Sequence, residues 1–154
     1  MTPRLNNAYK LAPEGIKAMR ALVASIQASG LEQNLIHLVE MRASQINGCA
    51  FCIHMHATEA RAQGESEMRL YMLNAWRESS LYTPRERAAL AWTEALTRLA
   101  DTGAPEEDYE LLKAHFTEAE QVNLTLAIGA INTWNRLQVG FRAAHPVDKA
   151  AHAA

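Results

Sequence analysis

The stretch Gly48-Cys49-Ala50-Phe51-Cys52-Ile53-His54-Met55-His56 holds both cysteines of the chain and two of its six histidines. Counted to His56, the pattern is C-x-x-C-x-x-x-H. A helix turns about 100° per residue, so Cys49 and Cys52 stand about 60° apart in projection and Cys52 and His56 about 40°. All three are able to line one face. Asn47-Gly48 is a chain-reversal signal, which predicts that one helix ends there and another begins at or just after Cys49. Both sulfurs then fall in a first helical turn, where unpaired backbone N–H groups and the helix dipole favour a thiolate.

Three readings compete for Cys49, Cys52 and His56. In a dithiol redox site one cysteine attacks an electrophilic sulfur or a peroxide oxygen. The other closes an intramolecular disulfide, and His56 takes the proton as general base. In a metal site the thiolates and the imidazole are zinc ligands. A structural zinc site needs about four ligands and the chain has no second C-x-x-C, so the rest would come from histidine or carboxylate. In the third reading two buried cysteines and a hydrogen-bonded histidine are packing. A C-x-x-C pair in a reducing compartment favours redox or metal chemistry over a structural staple.

The elements that must position these residues read as helices throughout. Residues 1–12 form a lead-in. Pro13 suits a first helical position, and Ile16, Met19, Val23 and Ile26 follow at helical spacing to Gly30. A second helix spans about 31–46, with Leu35, Leu38 and Val39 on its apolar stripe. The third carries the cysteines to about Gln63, and Ser66 opens a fourth through Trp76. Thr83-Pro84-Arg85-Glu86 and Thr117-Glu118-Ala119-Glu120 are capping boxes that start two more, with another from Pro105 between them. The tail 145–154, from His145 on, lacks periodicity and is expected to be mobile. The expected fold is all-α: one domain over 1–154, of about six or seven helices, with its motif core at about 31–64. No strand or linker is expected.

Composition narrows the function. With 154 residues, 49% hydrophobic and 21% charged, the chain is long enough for one real core and too apolar for disorder. A net charge of −2 without a basic run argues against nucleic acid. The apolar runs are too short to span a membrane, and the first residues lack the apolar core of a signal peptide, so the expected location is the cytoplasm.

The block from Glu40 to His56, with its S-x-x-N-G-C-x-x-C-x-x-x-H core, closely resembles the AhpD-like alkylhydroperoxidases, within the wider carboxymuconolactone decarboxylase family. The resemblance continues through the segment Thr83 to Leu96 and again from Asn123 to Asn135, and so covers most of the chain. It implies an all-helical homo-oligomer, a trimer or larger (a hexamer, for example), with thiol-dependent peroxidase activity. It implies Cys52 as the peroxide-attacking cysteine, Cys49 as the partner that closes the disulfide, and His56 as the base. No organic cofactor is implied. An external thiol or dithiol reductant is, with a hydroperoxide as substrate and a peroxiredoxin or dithiol carrier as partner.

The chain departs from that pattern. The glutamate that feeds the proton relay, twelve positions before the first motif cysteine, is His37 here. Glu40, one turn along the same helix, and Glu59, one turn past His56, are each able to supply the carboxylate, although a surface salt bridge is the simpler role for both. His37 could itself relay a proton or be a core histidine. Phe51 stands where the family pattern has a histidine between the cysteines. His54 points about 160° from His56 and reads as surface or interface. The decarboxylase branch does not need the cysteine pair, so a cofactor-free lyase is the alternative function, beside a metal-binding helical module. Trp76, Trp92 and Trp134 read as packing, Met41, Met55, Met68 and Met72 as gap fillers, and His115 and His145 receive no role.

Overall fold

The computed structural model describes residues 2–144. Among them the chain forms nine α-helices and a 3₁₀ turn, with no strand. The expected tail from His145 lies outside the described residues. The helices are α1 Ala8–Leu11, α2 Pro13–Gln27, α3 Gln33–Ile46, α4 Ala50–Ala62, α5 Glu67–Met72, α6 Pro84–Thr97, α7 Leu99–Thr102, α8 Glu106–His115 and α9 Glu118–Gly140, with the 3₁₀ turn Leu73–Ala75 after α5. The count exceeds six or seven because α1 and α7 are single turns. Four residues are too few to show a hydrophobic period, so α1 was hidden in the lead-in and α7 between the helices expected from Thr83 and from Pro105.

The long helices begin where local chemistry starts them. Thr83 Oγ accepts the Glu86 N–H at 3.2 Å while the Glu86 carboxylate accepts the Thr83 N–H at 2.7 Å. Thr117 and Glu120 repeat the box ahead of α9. These reciprocal bonds satisfy donors that a helix start otherwise leaves open. Ser66 caps α5 through the Arg69 N–H.

Helix α3 lies at the centre, packed against α4, α6 and α9. Nine of its fourteen residues are buried, which is why its apolar stripe is blurred: polar His37, Arg42 and Ser44 are enclosed along with Leu38, Val39 and Ala43. Enclosing Arg42 is tolerable because Glu94 on α6 takes its Nε at 2.8 Å and Asn74 takes Nη1 at 2.6 Å. One apolar cluster gathers Leu35, Ile36, Leu124 and Ile128 between α3 and α9, and another gathers Leu38, Leu73, Trp76 and Leu90 between α3 and α6. Each such side chain contributes about 1.5–3 kcal/mol on full burial. A third, small cluster of Ala43, Cys49, Cys52 and Ile131 joins α3, the start of α4 and α9.

Candidate active site

The turn between α3 and α4 fixes the cysteines. Gly48 takes φ +63°, the left-handed region where a side chain would be strained. The Cys49 N–H then returns to the Ser44 carbonyl at 2.9 Å, closing the end of α3. Cys49 becomes the N-cap of α4, and its sulfur accepts the Cys52 N–H at 3.4 Å. Both cysteines are free thiols with 1% exposure.

A polar network grips this turn from α9. Asn135, 1% exposed, donates to Ser44 Oγ at 3.0 Å and accepts from Asn47 Nδ2 at 2.8 Å. Asn47 also donates to Asn132 Oδ1 at 3.0 Å. Ser44 Oγ in turn donates to the Glu40 carbonyl at 2.7 Å. The serine and asparagine of the S-x-x-N-G-C pattern therefore hold the cysteine loop against α9. Asn135 went unassigned in the sequence reading. Its signal was available: Asn132 and Asn135 stand one turn apart and follow the apolar run from Leu126 to Ile131, and buried amides need partners.

The two thiols are electrostatically unlike. A hydrogen bond from the Cys52 side chain, opposed by burial and helped by backbone N–H groups and the Asn135 amide, brings Cys49 down to about 7. Donating that bond, being buried and facing the Cys49 charge push Cys52 up, well above the ordinary thiol range. One negative charge is shared by the pair and rests on Cys49, at the helix start.

Cys52 lines a cleft of about 310 Å³, together with His37, Glu40, His56 and Glu59. Its apolar walls include Phe51, Met55, Ile131 and Trp134, and Tyr9 and Arg20 complete it. Cys49 is outside this lining. So the three motif residues do not share one open face: Cys52 and His56 meet the cleft, while Cys49 is turned into the helix start.

Glu40 is the carboxylate nearest His56, with Oε2 3.2 Å from Nδ1. The expected surface role for Glu40 is corrected: its side chain is only 16% exposed, because α3 is enclosed on several sides. Glu59 Oε2 lies 3.3 Å from the same nitrogen and is 49% exposed. His37 Nδ1 is 3.7 Å from Glu40, and the His37 and His56 ring centroids are 6.3 Å apart. The Glu40 carboxylate favours the imidazolium of His37 and, against the cost of burial, raises it above the usual histidine value. The structure thus brings Cys52, His56, Glu40, Glu59 and His37 together in one wall.

Other expectations shift. Donor atoms close enough to share a metal come from His37, His56 and Glu59, and among the described residues no sulfur joins such a group. That corrects the cysteine-ligated zinc reading, because the sulfurs are turned to each other at the start of α4. His54 is half-buried. Trp134 stacks edge-on against Tyr9 at 5.8 Å in the cleft wall, which goes beyond packing, whereas Trp76 is core. Met68 and Met72 are exposed and fill no gap. Tyr9 and Arg20 were missed because they stand in or near the lead-in. Tyr9 is positioned by α1 and by the Gln138 amide, which donates to its hydroxyl.

Fold and site together define an all-helical, AhpD-like protein. The chain belongs to the carboxymuconolactone decarboxylase family, whose model matches residues 11–95. It is 42% identical over 138 residues to the uncharacterised protein YdfG of Bacillus subtilis, covering 88% of this chain and 94% of that one. The crystal structure of an Agrobacterium tumefaciens protein of unknown function, described as a candidate AhpD antioxidant-defence protein, superposes with a TM-score of 0.91 at 52% identity, over 96% of this chain and all of that one. The debrominase Bmp8 shares the fold, with a TM-score of 0.80 at 19% identity over 90% of this chain and 74% of that one. No helix among the described residues is long and apolar enough to cross a membrane.

Proposed function

We propose that the protein is a thiol-dependent hydroperoxide reductase of the AhpD-like kind, with Cys52 as the attacking sulfur, Cys49 as the resolving one and His56 as the base. The observation that carries the reading is that Cys52 opens onto the cleft of His56, whose Nδ1 has Glu40 at 3.2 Å, while Cys49 holds the pair's negative charge out of that lining.

The chemistry follows from that division. A hydroperoxide, its alkyl part against Phe51, Met55 and Trp134, meets the Cys52 sulfur. Because Cys52 rests as a thiol, attack needs a base; His56 takes its proton and Glu40 stabilises the imidazolium. The sulfur bonds to the terminal peroxide oxygen as the O–O bond breaks. Cys52 is oxidised to the sulfenic acid, and the alkoxide leaves as the alcohol with a proton from His56. Cys49, as its thiolate, attacks the Cys52 sulfur; the hydroxide leaves and takes a proton from solvent to become water, and the disulfide forms. An external thiol or dithiol reductant, such as a dithiol carrier, supplies two electrons and two protons to restore both thiols, and the reduced pair can instead pass its two electrons to the disulfide of a partner peroxiredoxin. The assembly proposed is a homo-oligomer, a trimer or hexamer, in the cytoplasm. His37 and Glu59 are proposed as outer members of the relay.

The test is a thiol count on reduced protein before and after one equivalent of an organic hydroperoxide, with Cys49→Ser and Cys52→Ser alongside. Two thiols should be lost in the wild type, and a sulfenic acid should be trapped in Cys49→Ser alone. Unchanged thiols, or turnover that survives Cys52→Ser, would overturn the reading; activity on a lactone or keto acid that persists after thiol alkylation would replace it with the lyase.

A further inference from the structure

We propose that His37, His56, Glu40 and Glu59 also form a binding site for a divalent first-row transition-metal ion, in the wall of the cleft onto which Cys52 opens. Ligand atoms of His37, His56 and Glu59 lie within 4.8 Å of one another. Around His56 Nδ1 the Glu40 and Glu59 oxygens stand at 3.2 and 3.3 Å, and Glu40 is 3.7 Å from His37 Nδ1. Donor atoms on one tetrahedral zinc ion, each about 2.0–2.1 Å from the metal, are about 3.4 Å apart. His37, His56 and Glu59 therefore already hold near-ligand spacing, and Glu40 stands within reach of both imidazoles.

The second observation is independent of that spacing. His37 and His56 are each 5% exposed, and none of their four ring nitrogens has an aligned hydrogen-bond partner among the described residues. Buried polar atoms are rarely left so. Glu40 reaches ion-pair distance of both Nδ1 atoms and Glu59 that of His56 Nδ1, without hydrogen-bond alignment, which is what side chains directed at a common point between them would show. Two imidazoles and two carboxylates carry a charge that a dication neutralises. Nitrogen and oxygen donors without sulfur suit zinc, manganese or ferrous iron.

Occupancy has a consequence that rests on the hydroperoxide reductase reading. An imidazole that gives its Nδ1 lone pair to a metal keeps its proton on Nε2 and has no lone pair left for another. A metal on His56 therefore removes the base that Cys52 needs. The site is a metal-dependent brake on thiol oxidation.

The binding test uses the full chain, reduced and freed of metal with chelator, titrated calorimetrically with zinc. One zinc per chain is expected, and the Cys49→Ser/Cys52→Ser double variant should keep it within about threefold in affinity. Glu59→Gln, a half-exposed position that leaves folding undisturbed, should weaken binding about 10-fold or more, as should His37→Gln. The cobalt form of the wild type should show visible d–d bands without a sulfur-to-cobalt charge-transfer band. No stoichiometric zinc, or zinc that is lost with the cysteines and kept in Glu59→Gln, overturns the site. The brake is read separately: hydroperoxide turnover of the wild type should fall about 10-fold with equimolar zinc and return with chelator. Zinc bound at full turnover overturns the brake. No turnover even in chelator overturns the reductase reading and, with it, the brake, and leaves the binding result standing.

Discussion

Glu40 Oε2 lies 3.2 Å from His56 Nδ1, although one residue stands on α3 and the other on α4. The contact depends on the packing of those two helices, and burial strengthens it by limiting screening of the carboxylate. Glu59 approaches the same nitrogen from His56's own helix but is half-exposed, where an ion pair is worth little. Two carboxylates at nearly equal distance are therefore unequal in effect.

That inequality separates two variants. Glu40→Gln removes the largely enclosed carboxylate beside His56 Nδ1, and kcat/KM for an organic hydroperoxide should fall about 100-fold. Glu59→Gln should cost about threefold or less. Steady-state turnover of both with one dithiol reductant decides the matter; equal losses would mean that Glu59 supports His56 as much as Glu40 does.

Cys49, lowered to about 7, should appear as thiolate absorbance near 240 nm with a midpoint close to neutral pH. Its largest cause is the bond from Cys52, so Cys52→Ala should move that midpoint up toward the ordinary thiol value. A serine would still donate, and Cys52→Ser should move it less. The sign for stability follows: the folded state binds fewer protons than the unfolded one between about 7 and the ordinary thiol value, so this thiol adds stability as pH rises through that window and loses it as pH falls through about 7. A thermal-melt series from pH 6 to 9 on the wild type and Cys49→Ser would show the difference, as a gain in stability with rising pH that is larger in the wild type than in the variant.

Asn135→Leu tests the network that holds the cysteine turn. The substitution leaves the Ser44 hydroxyl and the Asn47 amide short of partners in a buried site, at about 1–3 kcal/mol. It also removes an amide that favours thiolate on both sulfurs. Denaturant unfolding should show that loss of stability, and the Cys49 midpoint should rise. A destabilised protein with an unmoved midpoint would confine Asn135 to packing.

The long helices were legible because their starts are written locally: two capping boxes, Pro13, and the Asn47-Gly48 reversal act through neighbours in sequence. Much of the site was legible for the same reason, since Cys52 and His56 share one helix. What was not legible depends on packing. Glu40 looked like a surface residue because periodicity cannot tell a helix with one covered face from one enclosed by α4, α6 and α9. Arg42, given no role by its place in the sequence, is buried on Glu94. Tyr9 reaches the cleft from a helix of one turn, and Asn135 holds the cysteine turn from the far end of the chain. The spacing of Cys49 and Cys52 allowed both to line one helix face, whereas the N-cap geometry turns one of them away from the cleft.

Glu94 carries the last prediction, which concerns the frame rather than the chemistry. Its carboxylate accepts Arg42 Nε and Trp76 Nε1, each at 2.8 Å, and Arg77 Nη2 at 2.9 Å. It ties α6 to α3 and to the segment after the 3₁₀ turn. Burial alone would raise its pKa, yet the bonds from Trp76, Arg77 and Arg42 prevail and hold it below the usual glutamate value. A depressed carboxylate contributes stability above its ordinary pKa and loses it as pH falls through the lowered one, so Glu94 sharpens acid unfolding. Glu94→Ala leaves Arg42 charged and enclosed, which costs about 3–5 kcal/mol. Glu94→Gln keeps an acceptor for Trp76 and should cost less. Urea unfolding of both at neutral pH gives the two losses, and their gap from the wild type should narrow at acidic pH, where the wild-type carboxylate is itself protonated. A gap that stays constant with pH would show that shape, and not charge, holds α6 to α3.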